Sequence, residues 1–504
     1  MAPYHSNGFV NGCPVSFEYN SPASASSLSI HSAEGAISLS IPNSELIALL
    51  EQDDGKYVLL FSGDEKKLSE SNVLDTIPNY VPGQLQIVTP PQGLIDTLLF
   101  PQGKYPEWLD IKGGRSELTV IVSTGGGVNG KSKAEVQYES LVRPVLKEIG
   151  LFEGSAGEVE SSSASYSVIY TTSQYSIEEF IKKFHTSHSQ RPTQTLLLLS
   201  GDTSLFEVLN NLPNPIPPSL PKFYLSLLPT GTGNALCSSI YLQYHPLSSL
   251  LLGSARNLPL FHAQFSPDSL LLSQSGKHSI LDRGLYGAVV ISWAFHASLV
   301  ADSDAPPYRE KYPGTQRFQV AARENLTPLP HLYNGRISVQ QQPNGPWEDL
   351  QKELSEEHRG YWYFLATLVS RLEATFLINP LGEPLDGKLR VVHFARLPVP
   401  VSVAMEAHTM GAKSVIQAME AAYDQGRHVE LPGVEYEKDG VEGVRIQVDE
   451  EDYVPKGEGA AERGAERWRR ICIDGAIVEL QKGGWVEIRR ILEGLEGVKL
   501  VWKS

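Results

Sequence analysis

Cysteine is scarce in this chain of 504 residues. Cys13, Cys237 and Cys472 are odd in number and far apart, and none lies in a CxxC pair. Disulfide-stapled domains and cysteine zinc sites both depend on paired, regularly spaced cysteines. The sequence therefore predicts neither a disulfide framework nor a cysteine zinc site.

Long apolar runs are missing as well. Apolar runs such as Leu196–Leu199 and Leu250–Leu252 fall far short of the roughly 20 residues that span a bilayer. The first residues, MAPYHSNGFVNGCPV, lack the basic and then apolar segments of a secretory signal. We expect a cytoplasmic protein without a transmembrane segment, associated with membranes peripherally.

Basic residues are fewer than acidic ones, which gives a formal net charge of −16. Nucleic-acid binding needs clustered lysine and arginine to neutralise phosphates, so this balance argues against such a partner. It leaves room for one local basic pocket. The length favours two or three domains. The oligomeric state is not readable from the sequence.

The chain divides into three regions by its hydrophobic pattern. Short alternating runs between Gly, Pro, Asn and Asp predict a β-rich N-terminal module over 1–112. Over 113–248, apolar strands, glycine-rich turns and helices alternate, which predicts a parallel-sheet nucleotide-binding domain. Over 249–504, the strand spacing predicts an antiparallel β-sandwich that binds lipid. A charged, glycine-rich stretch near 433–468 predicts a mobile insertion. The fold class is thus α/β plus all-β.

The first glycine-rich turn is Ser123–Ser132. Its end fits G-x-x-x-x-G-K-[ST], the pattern of a P-loop, in which Lys131 would reach a phosphate. The alternative is a flexible turn between a strand and a helix. A P-loop enzyme using Lys131 stays open as a minor hypothesis.

The second turn carries Asp202 at the end of a buried strand. A carboxylate there is costly unless it is solvated, caps a helix or has a function. Asp202 is suited to accept the proton of an attacking hydroxyl. The alternative is structural, because Ser204 and Glu207 have the spacing of a capping box.

The third turn is Leu228–Leu236. Gly231 and Gly233 allow a backbone to approach a phosphate closely, and Thr232 and Asn234 add polar contacts at a helix start. An ordinary turn rarely combines these features.

Together these segments resemble the diacylglycerol/sphingosine lipid kinase family. Ser200–Leu212 is similar to its SGDGxxxEVxNGL block, and Pro229–Leu236 to its P-x-G-[ST]-G-N-A-L block. Ser123–Gly127 stands at its Asn-Pro-x-Gly-Gly loop. The stretch from Ser292-Trp-Ala-Phe295 to Arg317-Phe318 resembles the sphingosine and ceramide kinases more than the diacylglycerol kinases. Asp474-Gly475 resembles one of two C-terminal Asp-Gly turns.

The resemblance implies roles for individual residues. Asp202 would be the general base, and Arg309 and Arg317 would clamp phosphates. Asp474 would lie near the nucleotide and its magnesium, although the resemblance identifies no metal ligand. The rest of the nucleotide cradle would consist of Gly126, Gly127, Thr171, Gly201, Thr203, Gly231, Thr232, Gly233 and Asn234. The lipid would be met by Trp293, Phe295, Asp302 and Asp304, and an acidic group there would suit the ammonium of a sphingoid base.

The resulting hypothesis is an ATP- and Mg²⁺-dependent kinase that phosphorylates the primary hydroxyl of a sphingoid long-chain base at a membrane surface. Ceramide and diacylglycerol are alternative substrates. The sequence departs from the family at Thr203, where the family has Gly, at Ala294, and at Ala476, where it has a carboxylate. A second hypothesis is therefore a catalytically weak or inactive relative that binds lipid or nucleotide as a regulator.

Overall fold

A computed structural model describes most of the chain. The described residues are 4–20, 27–32, 38–62, 81–101, 103–125, 131–154, 164–186, 191–217, 220–273, 278–312, 314–327, 330–352, 360–395, 404–450 and 465–504.

The N-terminal region forms a sheet of eight strands in the order β4-β3-β2-β1-β7-β6-β5-β8. Neighbouring strands are antiparallel except for β5 and β8. Strand alternation buries one face, as the period-two pattern of these runs predicts. The strands are β1 (Tyr4–Val10), β2 (Cys13–Tyr19), β3 (Ser27–Ser32), β4 (Ser38–Pro42), β5 (Leu46–Glu51), β6 (Tyr57–Phe61), β7 (Gln84–Val88) and β8 (Leu99–Phe100).

The central sheet has seven strands in the order β10-β11-β9-β12-β13-β29-β14. All neighbours are parallel except β29 and β14. Every residue of β12 is buried, as expected for a strand covered on both faces. The strands are β9 (Ser116–Ser123), β10 (Phe152–Glu153), β11 (Ser165–Thr171), β12 (Thr193–Ser200), β13 (Lys222–Pro229), β14 (Ser254–Arg256) and, from the end of the chain, β29 (Val498–Trp502).

Between residues 113 and 248 helices follow the strands as the pattern predicts, apart from one π-helical turn at Tyr138–Val142, whereas the helix Gln92–Leu98 in the N-terminal region was not predicted. One of them joins the N-terminal sheet to the central sheet, because the Ser248 hydroxyl donates to the carbonyls of Leu46 and Ile47, at 2.8 and 2.7 Å. The helices are α1 (Gln92–Leu98), α2 (Lys133–Gln137), α3 (Arg143–Glu148), α4 (Ser176–Thr186), α5 (Asp202–Asn211), α6 (Ala235–Ile240) and α7 (Pro246–Leu252), with 3-10 turns at Asn43–Glu45 and Glu107–Leu109.

The remaining strands form two antiparallel sheets that share one hydrophobic core. One has the order β18-β15-β28-β25-β20-β21, and the other β17-β16-β27-β26-β19-β22-β23-β24. The strands are β15 (Leu260–Phe265), β16 (Leu270–Leu272), β17 (His278–Ile280), β18 (Leu285–Gly287), β19 (Val290–Ala294), β20 (Gly335–Gln340), β21 (Trp347–Asp349), β22 (Tyr361–Thr367), β23 (Leu389–Ala395), β24 (Val434–Val441), β25 (Gly443–Val448), β26 (Arg470–Ile473), β27 (Ala476–Glu479) and β28 (Trp485–Ile491).

This half also contains helices that the hydrophobic pattern did not predict. They lie between β19 and β20 and between β23 and β24, on segments whose apolar spacing is weak. They are α8 (Phe295–Asp304), α9 (Pro306–Lys311), α10 (Gln316–Leu326) and α11 (Ala404–Tyr423), with 3-10 turns at Arg427–Glu430 and Ala465–Arg469.

The insertion predicted near 433–468 is wrong for its first part. β24 and β25 occupy it, and Val444 and Ile446 are fully buried between the sheets. The charged residues that suggested a loop alternate with these apolar ones, so they lie on the outer face of the strand. Residues 451–464 lie outside the described part of the chain.

A mixed α/β fold with several sheets is confirmed. The division into three domains stays a prediction, and the chain path departs from it at one point. β29, expected in the C-terminal domain, pairs in parallel with β13 of the central sheet.

Candidate active site

Two glycine-rich turns meet at the carboxyl ends of β12 and β13. The Asp202 N–H donates to the Gly233 carbonyl at 3.3 Å, and the Thr230 N–H to the Ser200 carbonyl at 3.2 Å. A Cβ on Gly201 would lie 2.6 Å from the Gly233 oxygen, and one on Gly231 would lie 2.5 Å from the Gly201 Cα. Both glycines are therefore required by backbone packing, whatever they bind.

Asp202, the first residue of α5, holds the start of α6. Its Oδ2 accepts from the Ala235 N–H at 2.6 Å, and its Oδ1 from the Leu236 N–H at 3.3 Å. Burial raises the pKa of this carboxyl, while the two N–H groups oppose the shift because they favour the ionised form. Each oxygen retains a further acceptor site, so the capping contact leaves room for a substrate hydroxyl.

The capping box predicted from Ser204 and Glu207 is wrong. The helix starts three residues earlier, with Gly201 in place of Ser204 as its N-cap and no side-chain cap. Burial, with a smaller contribution from Glu178, raises the pKa of Glu207 to about 7.

The third glycine-rich turn is exposed to solvent at its tip. Thr232 and Gly233 are exposed, and a Cβ on Gly233 would have Asp202 Oδ2 as its nearest neighbour, 4.0 Å away. The Asn234 Nδ2 donates to the Gly231 carbonyl at 2.6 Å. Its Oδ1 and the Thr230 hydroxyl are buried without a hydrogen-bond partner in the described part of the chain. Backbone packing therefore does not explain why residue 233 is a glycine. Its neighbours Thr230 and Asn234 have polar atoms without partners in the described part of the chain.

The Asp474-Gly475 turn lies opposite, on the β-rich half. Asp474 is buried, and it accepts from the N–H groups of Ala288, Val289 and Val290 at 2.6, 3.1 and 2.7 Å. Burial raises the pKa of Asp474 to about 7, although the three N–H groups act in the opposite direction. The nearby Asp202 adds to the increase. A Cβ on Gly475 would be 3.1 Å from the Thr203 hydroxyl. The two halves therefore meet at Thr203, which occupies the position of the family's glycine.

Thr171 lies at the same sheet edge, at the end of β11. Its hydroxyl accepts from the Thr124 N–H at 3.1 Å, and its carbonyl accepts from the Thr124 hydroxyl. Thr171 thereby fixes the start of the first glycine-rich turn. Gly126 and Gly127, predicted for the cradle, lie outside the described residues.

The P-loop hypothesis for Lys131 gains no support from its surroundings. The Lys131 Nζ contacts the Glu139 carboxylate at 2.6 Å on the surface. The Ser132 hydroxyl, which a P-loop would offer to a metal, donates to the Ser123 carbonyl and accepts from the Glu135 N–H as a helix cap. Both side chains have structural partners.

The two predicted phosphate-clamping arginines converge on one carboxylate. The Oδ1 of Asp304 lies 3.3 Å from the Arg309 guanidinium and 3.2 Å from that of Arg317. The sequence predicted a lipid contact for Asp304 and phosphate contacts for the arginines. The structure brings all three together as an ion cluster at the end of α8.

Asp302, two residues earlier, is held by arginines from the far end of the sequence. Its Oδ2 accepts from Arg467 at 2.9 Å and from Asn325 at 3.0 Å, and its Oδ1 from Arg470 at 3.3 Å. Sequence reasoning missed Arg467 and Arg470. The only signal was the arginine-rich run ERWRR just before a strand.

Trp293 and Phe295, predicted to contact lipid, are buried. Trp293 is fully enclosed between the two antiparallel sheets, and Phe295 packs in the core that joins the central sheet to the β-rich half. Their lipid role stays a prediction. Between them, Ala294 has φ +63° and ψ −139°, a backbone conformation that favours glycine.

A small apolar pocket lies beside both aspartates. Its lining includes Leu236 and Ala288, whose N–H groups bind Asp202 and Asp474, and also Ile240, Leu258 and Leu368. Its volume is about 10 Å³, far below the roughly 300–1,000 Å³ of ordinary ligand pockets, so it does not accommodate a lipid chain.

In the described part of the chain, no group of three or more His, Cys, Asp or Glu side chains is arranged to hold a metal ion. Mg²⁺ in kinases is commonly held by one or two carboxylates together with substrate phosphates. Asp474, whose pKa the nearby Asp202 helps to raise, fits that smaller requirement.

Comparison with known families identifies the central region. Residues 150–260 match the family model of the diacylglycerol kinase catalytic domain. The match includes both joined glycine-rich turns and Asp202. The chain carries a lipid-kinase catalytic domain. This match supports the assignment to the diacylglycerol/sphingosine lipid kinase family that the motifs predicted, and with it a lipid kinase activity. A kinase domain of this type uses ATP.

Two further comparisons add little to this assignment. No curated protein matches the sequence significantly. A crystal structure of a diacylglycerol kinase from Bacillus anthracis str. Sterne has 11% sequence identity and a TM-score of 0.42, and covers 77% of this chain and 97% of its own. A second structure from that organism has 12% identity, the same TM-score and the same coverage. The assignment of this lipid kinase therefore rests on the family model.

The matched region ends before the other predicted site residues. Arg309, Arg317, Asp302, Asp304 and Asp474 all follow residue 260. None of the helices in the described ranges is long and apolar enough to cross a membrane.

Proposed function

We propose that this lipid kinase transfers the γ-phosphoryl group of ATP to the primary hydroxyl of a lipid, with Asp202 as the general base. The lipid oxygen forms the new bond to phosphorus, and the bond from the γ-phosphorus to the β–γ bridging oxygen breaks. ADP leaves, and the hydroxyl proton passes to Asp202. Mg²⁺, held by the nucleotide phosphates near Asp474, would neutralise charge on the phosphates.

One observation carries the proposal. Asp202 is fixed by the N–H groups of Ala235 and Leu236 directly beside Gly233, the glycine whose freedom from packing suits the approach of a phosphate. The carboxylate is thereby oriented without a cation to neutralise it, as a base requires.

Within this class, the resemblance implies a sphingoid long-chain base, presented at a membrane surface. Ceramide and diacylglycerol are the alternatives. They differ from the sphingoid base in having no ammonium group near the reacting hydroxyl. A catalytically inactive relative is the second candidate, and the contact between Thr203 and Gly475, where the family has a smaller residue, favours it.

The proposal is tested by phosphate transfer from labelled ATP with Mg²⁺ to sphingosine, phytosphingosine, ceramide and diacylglycerol. We expect a phosphorylated lipid with the wild type and none with Asp202→Ala. Lys131→Ala serves as the matched control and should retain activity. ATP binding without any lipid product would support the inactive relative.

A further inference from the structure

One asparagine of α5 joins the two halves of the protein through main-chain atoms. Asn210 is buried and lies about two turns after Asp202 on this helix. Its Oδ1 accepts from the Tyr286 N–H at 2.9 Å, and its Nδ2 donates to the Tyr286 carbonyl at 2.8 Å. The Nδ2 also donates to the Phe206 carbonyl, one turn earlier in the helix, at 2.9 Å. Both amide hydrogens and the amide oxygen of Asn210 are therefore engaged.

The partner of Asn210 lies at the edge of a sheet. Tyr286 belongs to β18, the first strand of its sheet in the described part of the chain, so one side of the β18 backbone is left for other partners. There the Asn210 amide forms the pair of hydrogen bonds that a neighbouring strand would form. Buried main-chain groups need such partners, and only a side chain that both donates and accepts supplies them. Asn210 thus fixes α5 to β18.

The same strand leads directly to the residues that bind Asp474. The segment Ala288–Val290 begins two residues after Tyr286, and its three N–H groups bind the Asp474 carboxylate. The Val290 carbonyl in turn accepts from the Asp474 N–H at 3.0 Å. This segment therefore holds Asp474 by both its side chain and its backbone.

These contacts close a ring that includes both aspartates of the site. At the start of α5, Thr203 meets Gly475, where a Cβ would be 3.1 Å from the Thr203 hydroxyl. In the middle of the helix, Phe206 packs in the core between the two antiparallel sheets. At its end, Asn210 binds the strand that leads to Asp474. The separation of the two aspartates therefore depends on how α5 is seated against the β-rich half.

We infer that Asn210 is a positioning residue for phosphoryl transfer, because by fixing α5 to β18 it sets the distance between the Asp202 base and the Asp474 turn. This inference rests on the proposed kinase function and adds to it a residue that acts through Asp202. A misplacement of about 1 Å at the reacting groups can lower a rate by about 100-fold. ATP binding at Gly233 depends much less on Asn210, since that turn follows a strand of the central sheet.

A matched control stands next to Asn210 in the sequence. Asn211 is on the same helix, and its Nδ2 donates to the Glu207 carbonyl at 2.9 Å. This is the same contact within the helix that Asn210 makes with Phe206. Among the described residues, the Asn211 side chain has no hydrogen bond to the β-rich half. Asn210→Ala and Asn211→Ala therefore differ in the contact with β18.

The experiment measures kcat and the KM for ATP in the wild type and both variants, with labelled ATP, Mg²⁺ and the lipid that the wild type phosphorylates best. Rates are expressed per nucleotide-binding site, counted by ATP titration without lipid, so that unfolded protein does not enter kcat. We expect Asn210→Ala to lower kcat by about 10- to 100-fold and to leave the KM within about threefold. Asn211→Ala should leave both within about threefold.

The pH dependence of kcat gives a readout that a loss of folded protein cannot imitate. Burial raises the pKa of Asp202, and a looser contact between the halves would admit water to it. The decline of kcat at acidic pH should therefore move to lower pH in Asn210→Ala. In Asn211→Ala it should stay where it is in the wild type.

A second variant covers the case in which Asn210→Ala does not fold. Asn210→Asp retains the shape and the oxygen that accepts from the Tyr286 N–H, but only a protonated carboxyl can donate to the Tyr286 carbonyl. The kcat of Asn210→Asp relative to the wild type should therefore rise as the pH falls.

Two results would overturn the inference while leaving the kinase intact. One is a kcat in the folded Asn210 variant that lies within threefold of that of Asn211→Ala. The other is a pH profile of the folded Asn210 variant that runs parallel to that of the wild type. If the wild type phosphorylates no lipid although ATP binds, the kinase proposal fails and this inference fails with it.

Discussion

The joined glycine-rich turns and the arginine cluster both hold aspartates near the junction of the two halves, but they hold them differently. Asp202 is bound by main-chain N–H groups and has no cation beside it. Asp302 and Asp304 are bound by guanidinium groups. Main-chain donors orient a carboxylate and leave it able to take a proton, whereas ion pairs fix its charge. The first arrangement suits catalysis, whereas the second joins distant parts of the chain.

The largest effect should come from Asp202→Asn. Loss of a general base typically lowers a rate by about 10²- to 10⁴-fold, so we expect kcat to fall within that range. ATP affinity should change little, because asparagine can still accept the Ala235 N–H. Glu207→Gln, on the same helix, is the control and should retain kcat within about threefold, since no role in the reaction is proposed for it. An equal loss of kcat in both variants would contradict the assignment of Asp202 as the general base.

Substitutions of two glycines in the joined turns should distinguish a glycine needed for backbone packing from one needed for ATP binding. Gly231→Ala places a Cβ 2.5 Å from Gly201 Cα, so the free energy of unfolding should fall by about 2 kcal/mol. Gly233→Ala should leave that free energy unchanged within about 0.5 kcal/mol and weaken ATP binding instead. Chemical denaturation and nucleotide titration of both variants give the comparison. A stability loss in Gly233→Ala as large as in Gly231→Ala would show that both glycines are structural.

A smaller effect is expected at the start of α8, which carries the paired aspartates. Ala294 is held in a conformation that costs a non-glycine residue of order 1–3 kcal/mol. Ala294→Gly should therefore stabilise the protein by roughly 1 kcal/mol after the entropy cost of glycine. Ala301→Gly, inside the same helix, should destabilise it by about 1 kcal/mol. A melting temperature that shifts in the same direction in both variants would show that Ala294 is not strained.

The central sheet could be predicted well from the sequence, because the patterns that define it lie within short segments of the chain. β12 is a continuous apolar run, and Asp202 and Gly233 follow strand ends whose meeting at one sheet edge is a rule of parallel sheets. The pattern failed where the charged composition suggested a loop, at β24 and β25. It also failed for distant pairs. Arg467 binds Asp302 across 165 residues, and no spacing pattern reports such a contact.

The role of Thr203 was foreseen only in part. The sequence showed that a side chain replaces the family's glycine. The structure shows it facing Gly475 of the opposite half. Since β26 and β27 carry that turn, its partner depends on the packing of the two halves, which local patterns do not encode.

The most direct measurement is the pH dependence of kcat for phosphoryl transfer to the best lipid, in the wild type and in Asp202→Asn. A base must be ionised to act, and burial raises the pKa of Asp202. Wild-type kcat should therefore decline as the pH falls through a pKa above the ordinary aspartate value of about 3.9, and the residual rate of the variant should lack that decline. The same acidic decline and a similar rate in both proteins would contradict the assignment of Asp202 as the base.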